Sequence, residues 1–462
     1  MHKRIFRFGF LAIVVLLGAL PVAAQTESQP SVNSGDTAWL LTSTALVMLM
    51  TVPGLALFYG GLVGRTNVLS TTMHSFFLLC LISIQWVIVG YTLSFGADHS
   101  GLVGGLQFLG FNDVGQQAHA GTAVPDIAFA MYQCAFAVIT VALITGAFAE
   151  RMRFAAFVAF SLVWATVIYD PLAHWVWGGG WLQTLGALDF AGGTVVHVSS
   201  GVSALVAACV VGRRARHGRE PARPHAALLT IIGTGLLWFG WFGFNAGSAL
   251  ASGGLAAMAF ASTNTAAAAA ALGWAAIEWH RFGRPSCVGI VTGAVAGLVA
   301  ITPAAGYVTV GSAVVIGLGA SAVAFIGVHA LKPRFGYDDS LDVFGVHGLC
   351  GIWGALATGV FATLKVNPAG ADGLLAGNPA LLAKQAIAVL ACGAFAGLGT
   401  FAILKAIELF IPLRVTPEQE AAGLDIAVHG ELAYDFLVSD VPSLAPETAY
   451  ASVLAEEAFA EA

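Results

Sequence analysis

The sequence predicts an all-α membrane protein with eleven transmembrane helices. Hydrophobic residues make up 58% of the 462 positions and charged residues only 10%, and the mean hydropathy is +0.83. A soluble domain of this size could not hide so much apolar surface from water, so the lipid bilayer is the expected solvent. The net charge of -6 comes without a polybasic run and gives no indication of nucleic-acid binding.

Eleven apolar segments are long enough to span a bilayer. A hydrocarbon core of about 30 Å needs roughly 20 apolar residues per helix. This window gives the spans 38–63, 70–95, 126–148, 154–172, 194–212, 227–247, 253–279, 286–302, 308–331, 343–364 and 382–411. The 56 glycines and the alanine-rich stretch 262–273 indicate closely packed helices, because helices in lipid pack through small residues.

Residues 1–24 have the order of a cleavable signal peptide. Three basic residues lie within the first seven positions, an apolar run occupies 8–20, and small residues end at Ala24. This order of charged, apolar and small residues is typical of secretory signals. We therefore divide the chain into a signal peptide at 1–24, a transmembrane domain at 25–411 and a tail at 412–462. An uncleaved first span is the alternative.

Basic residues orient the spans, because loops rich in lysine and arginine stay on the cytoplasmic side. They follow the odd-numbered spans, at Arg65, Arg151, Arg153, Arg213, Arg214, Arg216, Arg219, Arg223, Arg281, Arg284, Lys332, Arg334 and Arg414. The opposite loops, 96–125, 173–193, 248–252 and 303–307, contain none, and Lys365 and Lys384 are the exceptions near the last such loop. We therefore expect the N-terminus outside and the C-terminus in the cytoplasm.

The six cysteines occur singly inside apolar segments, without a CxxC pair. This distribution indicates neither a disulfide framework nor a zinc site. We expect no metal and no cofactor.

Two histidines lie inside predicted spans, where ionisable side chains are costly and usually mark a pathway. His197 is in span five, 16 positions before Arg213, and His347 is in span ten, 13 positions after Arg334. At 1.5 Å per residue these separations are about 24 and 20 Å. Both imidazoles are therefore expected at a similar depth, near the middle of the membrane.

The surroundings of the two histidines also match. Asp189 and Asp339 each stand eight residues before a histidine. Spans five and ten close two possible five-helix halves, and because five is odd these halves would have inverted topology, with a final helix left over. Sites in such repeats lie at the interface of the halves. A lone buried histidine is as often a satisfied core group, but for the matched pair we favour a pore.

Other polar or aromatic positions have simpler interpretations. Asn245 and Ser248 can bond a neighbouring helix. Asp342 can be the N-cap of span ten. The tryptophans at 175–181 are placed in an external loop, where an interfacial aromatic belt is the default interpretation for two of the three.

Taken together, these residues resemble the ammonium transporter family, which is related to the Rhesus glycoproteins. The motifs are FYGG at 58–61, AER at 149–151, WGGG at 177–180, DFAGGTVVH at 189–197, the segment 240–248, and DVFGVHG at 342–348. The resemblance runs from about 37 to 435. It implies an eleven-helix inverted repeat, assembled as a homotrimer with one pore per subunit.

The resemblance also implies roles for individual residues. An external ammonium recruitment site would consist of Trp177, Ser248, Phe136 and Tyr132. A phenylalanine gate of Phe136 and Phe244 would lie beneath it, followed by the pore histidines His197 and His347, with Asp189 as electrostatic support. Tyr132 stands where the family commonly has phenylalanine, and its hydroxyl is expected to make recruitment more polar.

The chemistry of this pore would separate ammonium from potassium. Moving a bare cation through hydrocarbon costs tens of kcal/mol in the Born limit, whereas deprotonating an amine of pKa about 10.4 at pH 7 costs about 5 kcal/mol. Neutral ammonia is therefore the expected permeant species, and a histidine pair could pass the proton. Methylammonium is a possible second substrate.

The tail at 412–462 contains two different segments. Residues 413–431 resemble the family's cytoplasmic tail, which docks on neighbouring subunits and on a trimeric PII signal protein; a disordered acidic terminus is the alternative. Residues 439–462 match nothing comparable. The resemblance implies a multi-pass protein of the bacterial inner membrane that serves nitrogen metabolism.

Two other classes of function compete with ammonium transport. A membrane-bound ammonium sensor of the same fold usually needs a signalling domain or partner. An enzyme is not expected, because the twin histidines lack a third ligand, a paired carboxylate or a nucleophile in any span.

Overall fold

A computed structural model describes residues 31–219 and 224–434, and these residues are predominantly helical. The predicted signal peptide and residues 439–462 lie outside the described residues. Within those ranges the only sheet is a pair of antiparallel two-residue strands, β1 (Asp98–His99) and β2 (Val103–Gly104), which hold one loop together.

Eleven helices form the bundle. They are α1 (Ser34–Leu62), α2 (Val68–Phe95), α3 (Asp126–Phe148), α4 (Phe154–Leu185, interrupted at 178–180), α5 (Gly193–Val211), α6 (Ala227–Gly247), α7 (Gly254–Phe282), α8 (Cys287–Ile301), α9 (Val310–Phe335), α10 (Phe344–Phe361) and α11 (Pro379–Glu408). In the described part of the chain, ten of them are long and apolar enough to cross a membrane, and α8 is apolar but has only 15 residues. Each predicted span overlaps one of these helices.

The largest difference from the predicted spans is at α4. Its main helical stretch continues to Trp177, so the following loop begins later than 173. Trp175 and Trp177 therefore lie on the last turns of a helix. Trp175 is 9% exposed, its indole N–H donates to the Leu102 carbonyl oxygen at 2.8 Å, and its ring packs on Phe395. The aromatic-belt interpretation is wrong for Trp175, because its ring is buried among other helices.

Small residues bring the helices together as the glycine content indicates. A Cβ atom added at Gly297 of α8 would lie 2.5 Å from the Ala266 carbonyl oxygen and 2.6 Å from the Ala270 Cβ atom, both on α7. Real side chains cannot approach so closely. The alanine-rich face of α7 is therefore a packing surface.

A charged cluster closes the end of the bundle from which residues 412–434 extend, which we call the tail side. Arg214 bonds Glu150 and Asp338 at 2.8 Å each. The buried Arg151 donates to the carbonyl oxygens of Asp338 at 2.6 Å and Gly212 at 2.7 Å. Burial by itself would raise the pKa of the Asp338 carboxyl, but Arg214 holds it well below its ordinary value. The cluster ties three loops together.

The tail folds back onto the same end of the bundle. Two short helices follow α11, α12 (Pro417–Ala422) and α13 (Asp425–His429). The Asp425 carboxylate accepts from the Ser70 backbone N–H at 2.8 Å, and Asn67 accepts from the Leu424 backbone N–H at 2.8 Å. Asp425 thus satisfies a free N–H group at the beginning of α2.

Candidate functional site

Glycines allow α5 and α10 to cross at close contact. A Cβ atom added at Gly201 would overlap the backbone of Gly348, and one added at Gly351 would lie 3.0 Å from the His197 Cβ atom. No side chain fits at Gly201, and one at Gly351 would be crowded. The two helices that carry the histidines therefore meet backbone to backbone.

This crossing brings His197 and His347 together. Their Nδ1 atoms are 3.3 Å apart, and their ring centroids are 5.4 Å apart at an angle of 28°. The side chains are 0% and 3% exposed. Each lies in a π-helical turn, Gly193–Val198 or Phe344–Gly348, and such turns are frequent at functional sites. Hydrogen bonding between two Nδ1 atoms requires that one carries a proton and the other accepts it.

One imidazole nitrogen remains open toward the passage. In the described residues, the Nε2 atom of His197 is buried and bonds to no protein group. The ring is stacked against Trp241, with centroids 5.4 Å apart at 22°. Packing therefore fixes the imidazole while Nε2 stays available to a small polar molecule.

Asp189 organises the beginning of α5. Its carboxylate accepts from the backbone N–H groups of Gly192, Gly193 and Thr194 at 2.8, 2.6 and 2.7 Å, and from the Thr194 hydroxyl at 2.5 Å. Its backbone carbonyl oxygen accepts from the Trp177 indole N–H at 2.9 Å. Asp189 thus positions both the histidine helix and the tryptophan ring.

The equivalent group on α10 is Asp339, which accepts from the Phe344 backbone N–H at 2.7 Å. Asp339 lies in the loop before the helix, and burial raises the pKa of its carboxyl to about 6. The prediction that Asp342 is the N-cap is wrong. Its carboxylate instead pairs with the Lys332 ammonium at 2.6 Å, because its φ of +61° is a left-handed conformation that does not suit an extended N-cap residue.

A column of aromatic rings leads from the other end of the bundle to the histidines. Phe136 of α3 and Phe244 of α6 are stacked, with centroids 4.1 Å apart at 12°. On one side, Phe136 meets the edge of Trp177 at 6.0 Å. On the other side, the Phe244 centroid is 6.1 Å from that of His197. Both phenyl rings are almost fully buried.

Above the phenyl pair is a cavity of about 230 Å³, which we call the vestibule. It is lined by His119, Ala120, Thr122, Phe129, Tyr132, Gln133, Phe136, Trp177, Gln183, Phe190, Ser248 and Leu250. All four residues predicted for recruitment are in this set. His119 and Gln133 are lining residues that the sequence analysis missed. His119 lies in the loop before α3, so a search confined to the spans overlooked it.

Tyr132 is tied to the end of α6. Its hydroxyl lies 2.8 Å from the Phe244 carbonyl oxygen, 3.0 Å from that of Gly243 and 3.1 Å from the Ser248 Oγ atom. The last carbonyl groups of a helix lack partners within the helix. The hydroxyl is therefore occupied with closing α6 and steadying Ser248, and the tyrosine is only 1% exposed.

The passage beside the histidines is narrow and apolar. It contains a void of about 10 Å³, lined by Met50, Leu55, Phe58, Ile139, Leu143, His197, Leu237, Trp241, Val295 and His347. About one water-sized probe fits in such a volume. The histidines are the only polar side chains of this lining apart from the Trp241 indole.

The Asn245 side chain takes the structural role that was its simpler interpretation. Its amide donates to the Thr263 hydroxyl on α7 at 2.9 Å. Ser248, by contrast, faces the vestibule. No cluster of three or more His, Cys, Asp or Glu side chains suited to a metal ion is present among residues 31–219 and 224–434.

Comparison with known proteins identifies this architecture. The family model described as Ammonium Transporter Family matches residues 38–434. The chain is 54% identical over 401 residues to the "Ammonium transporter" of Bacillus subtilis, covering 87% of this chain and 98% of that protein. It is 47% identical over 403 residues to "Ammonium transporter Amt1" of Archaeoglobus fulgidus, covering 87% of this chain and 100% of the relative.

Solved structures agree with the sequence relatives. The crystal structure of Candida albicans Mep2 superposes with a TM-score of 0.81 at 37% identity, covering 90% of this chain and 93% of that one. A structure described as "Sensor Amt Protein" gives a TM-score of 0.79 at 30% identity, covering 85% of this chain and 98% of that one. From the extent of the family match and the identity to its relatives, the chain belongs to the ammonium transporter family.

Proposed function

We propose that this protein carries ammonium across the membrane by recruiting NH4+ in the vestibule and passing ammonia and a proton separately through the histidine passage. The observation that carries the proposal is the pair His197 and His347, which face each other at 3.3 Å inside an otherwise apolar passage. The stacked rings of Phe136 and Phe244 lie between this pair and the vestibule.

Recruitment uses aromatic faces and one hydroxyl. A cation over the Trp177 ring gains about 0.5 to 2 kcal/mol. Ser248 Oγ donates to the Phe244 carbonyl oxygen at 2.9 Å, which leaves oxygen lone pairs to accept from ammonium. These interactions are weak enough for release, and by themselves they would also hold potassium.

Selectivity therefore arises below the vestibule. Among the described residues, neither the phenyl pair nor the side chains that line the passage carry an oxygen that could replace the hydration shell of a cation, so a bare ion would pay tens of kcal/mol in the Born limit. Giving up a proton costs ammonium about 5 kcal/mol at pH 7, with a lysine-like amine as the stand-in. Potassium has no proton to lose and is excluded.

The histidines provide the polar path through this apolar region. An imidazole can donate through one nitrogen and accept through the other. The Nδ1 contact between His197 and His347, together with the open Nε2 atom of His197, supports a relay for the proton and successive hydrogen bonds for ammonia. Net movement of ammonium follows when both species cross.

We further propose that α8 also crosses the membrane and that the eleven helices form two inverted halves plus a final helix. At 1.5 Å per residue its 15 residues span about 22 Å. The assembly would be a homotrimer with one pore per subunit, in the inner membrane of a bacterium. The N-terminus would be outside, after removal of residues 1–24, and the tail would be cytoplasmic.

The tail is proposed to be regulatory. The contacts of Asp425 with Ser70 and of Leu424 with Asn67 couple it to α2 and the preceding loop. A PII-type signal protein that binds at this face could therefore act on the helix ends. We also propose that the family of this chain is related to the Rhesus glycoproteins.

A membrane-bound ammonium sensor is the second candidate, favoured by the similarity to the structure described as "Sensor Amt Protein". A sensor must bind ammonium but need not conduct it. Transport is the better proposal, because the relatives with the higher identities quoted above are described as ammonium transporters.

The deciding experiment is a current measurement on a solid-supported membrane after an ammonium pulse to proteoliposomes. Wild type is compared with Trp177→Ala and His197→Ala. Transport predicts a current that saturates with ammonium, ignores potassium and falls in both variants. Absence of current with retained binding would contradict electrogenic transport, and a stopped-flow ammonia flux assay then separates gas conduction from sensing.

A further inference from the structure

An imidazole also lines the vestibule that contains Trp177 and Ser248. His119 belongs to the loop between β2 and α3 and stacks on Phe129 of α3, with centroids 3.8 Å apart at 11°. Its Nδ1 atom is 2.8 Å from a carboxylate oxygen of Asp126, the first residue of α3. The two side chains are 23% and 21% exposed, so the pair is partly withdrawn from solvent.

The surrounding loop fixes this histidine. The His119 backbone N–H donates to the Val124 carbonyl oxygen at 2.8 Å, and its own carbonyl oxygen accepts from the Thr122 hydroxyl at 2.9 Å. The second carboxylate oxygen of Asp126 accepts from the Gln117 amide at 2.7 Å. Backbone, ring stacking and carboxylate therefore hold the imidazole in one orientation.

The hydrogen bond to Asp126 determines which nitrogen remains for a ligand. A carboxylate can only accept a hydrogen bond, so Nδ1 of His119 carries the hydrogen and donates. The neutral ring then has an acceptor lone pair only at Nε2. In the part of the chain that the structure describes, that atom bonds to no protein group.

The charge of the vestibule depends on this pair. The residues that line the cavity include no aspartate or glutamate, and His119 and Tyr132 are its only ionisable side chains. The Tyr132 hydroxyl is engaged with α6. The Asp126 charge is therefore presented to the cavity through the His119 ring.

We propose that His119, oriented by Asp126, is a further ammonium-binding residue of the vestibule. Its Nε2 atom accepts one N–H of the cation, while Trp177 and Ser248 serve the others. This inference rests on the proposed function and extends its recruitment step. The residue acts on capture, so it sets the concentration at which transport saturates and leaves the maximal rate to the gate and the histidine passage.

The test is the ammonium current of full-length protein in proteoliposomes, recorded as a function of external ammonium concentration. His119→Phe retains an aromatic ring for stacking on Phe129 and removes the acceptor. We expect the half-saturating concentration to rise about 10-fold or more, as the loss of one hydrogen bond to a charged group implies, with the maximal current within about twofold of wild type. Asp126→Asn, which removes the carboxylate charge, should also raise the half-saturating concentration.

His99→Gln is the matched control. His99 is an exposed histidine of strand β1 that does not line the cavity, and its variant should behave as wild type. Melting temperatures in detergent are recorded for all variants. Equal half-saturating concentrations in His119→Phe, Asp126→Asn and wild type would overturn the inference.

A lowered maximal current or melting temperature at an unchanged half-saturating concentration would also overturn it, since the pair would then only fasten the loop. A wild type that moves no ammonium in this assay or in stopped flow would instead overturn the proposed function, and the role of His119 with it. The two failures are therefore distinguishable.

Discussion

The Nδ1 atoms of His197 and His347 lie 3.3 Å apart although 150 positions separate the two residues in the chain. The contact exists because Gly201 and Gly348 let their helices cross without side chains between them. Their mutual positioning, rather than the presence of two histidines, puts two imidazoles in contact inside an otherwise apolar passage.

The first prediction concerns selectivity. Replacing both histidines in His197→Asp/His347→Asp puts carboxylates where neutral imidazoles stand, and these can ligate a dehydrated cation. We expect a potassium pulse to produce a current that wild type lacks, in proteoliposomes on a solid-supported membrane. Unchanged selectivity against potassium would show that the phenyl pair, and not the histidines, excludes it. His99→Asp, outside the passage, is the control.

The second prediction concerns Asp189. Its carboxylate accepts five hydrogen bonds at the beginning of α5, and its removal leaves buried donors without acceptors. We expect Asp189→Ala to lower stability by about 3 kcal/mol or more and to reduce ammonium current through displacement of the histidine and of Trp177. Asp189→Asn, which keeps one oxygen, should cost less. Urea or thermal unfolding in detergent measures the first effect.

Asp339 is the matched comparison for that prediction. It lies before α10 as Asp189 lies before α5, and Asp339→Ala should be milder, because its carboxylate accepts fewer short hydrogen bonds. Equal losses of stability at the two sites would contradict this explanation.

The third prediction concerns Tyr132. Tyr132→Phe removes the hydroxyl that joins the end of α6 to Ser248. We expect a stability loss of about 1 kcal/mol and a change in half-saturating ammonium of at most about threefold, since one hydrogen bond of modest strength is lost. Trp177→Ala should raise the half-saturating concentration more. A larger effect of Tyr132→Phe would mean that its hydroxyl binds the cation directly.

The fourth prediction concerns the charged cluster on the tail side. Arg214→Met leaves Glu150 and Asp338 buried without their shared partner, which should cost about 3 to 5 kcal/mol of stability. Arg216→Met is the matched control. Arg216 bonds the same Glu150 but is 48% exposed, so its loss should cost at most about 1 kcal/mol. Similar melting temperatures for the two variants would contradict the assignment.

The fifth prediction is an acid sensitivity of the same cluster. Burial raises the pKa of Glu150 and Asp338, but the arginines lower both below the unfolded values of about 4.3 and 3.9. A carboxyl with a lowered folded pKa stabilises the protein above the unfolded pKa and loses that effect as pH falls through the folded one. Melting temperature should therefore fall below about pH 4, and Arg214→Met should show a smaller fall.

The pKa of Asp339 shifts in the opposite direction to those of Glu150 and Asp338. A substitution at Asp339 therefore separates its effect on stability from that of the cluster. Burial raises the pKa of its carboxyl to about 6, so its ionised form is disfavoured in the fold. Stability from this group is present below the unfolded pKa of about 3.9 and is lost as pH rises toward 6. Asp339→Asn should flatten the profile between pH 4 and 6 and leave the acid limb unchanged.

Hydropathy and spacing determined much of the helical framework. The predicted spans 126–148 and 227–247 coincide with α3 and α6 as observed, because membrane helices need a continuous apolar stretch that is local in sequence. The helical rise predicted a similar depth for the two histidines, and the contact between their rings agrees with that prediction. Motif resemblance supplied the aromatic and serine positions of the vestibule.

Contacts between distant segments were decided only by tertiary structure. The first N–H group of α10 donates to Asp339 and not to Asp342, Tyr132 bonds to α6, and His119 reaches the vestibule from a loop outside the spans. Each depends on which helix end or loop packs beside the residue. Sequence by itself determined the membrane class, the helices and the two matched histidines. The fold decided which polar groups meet. Hydropathy is a local property of the sequence, whereas hydrogen bonds between elements depend on how distant segments pack.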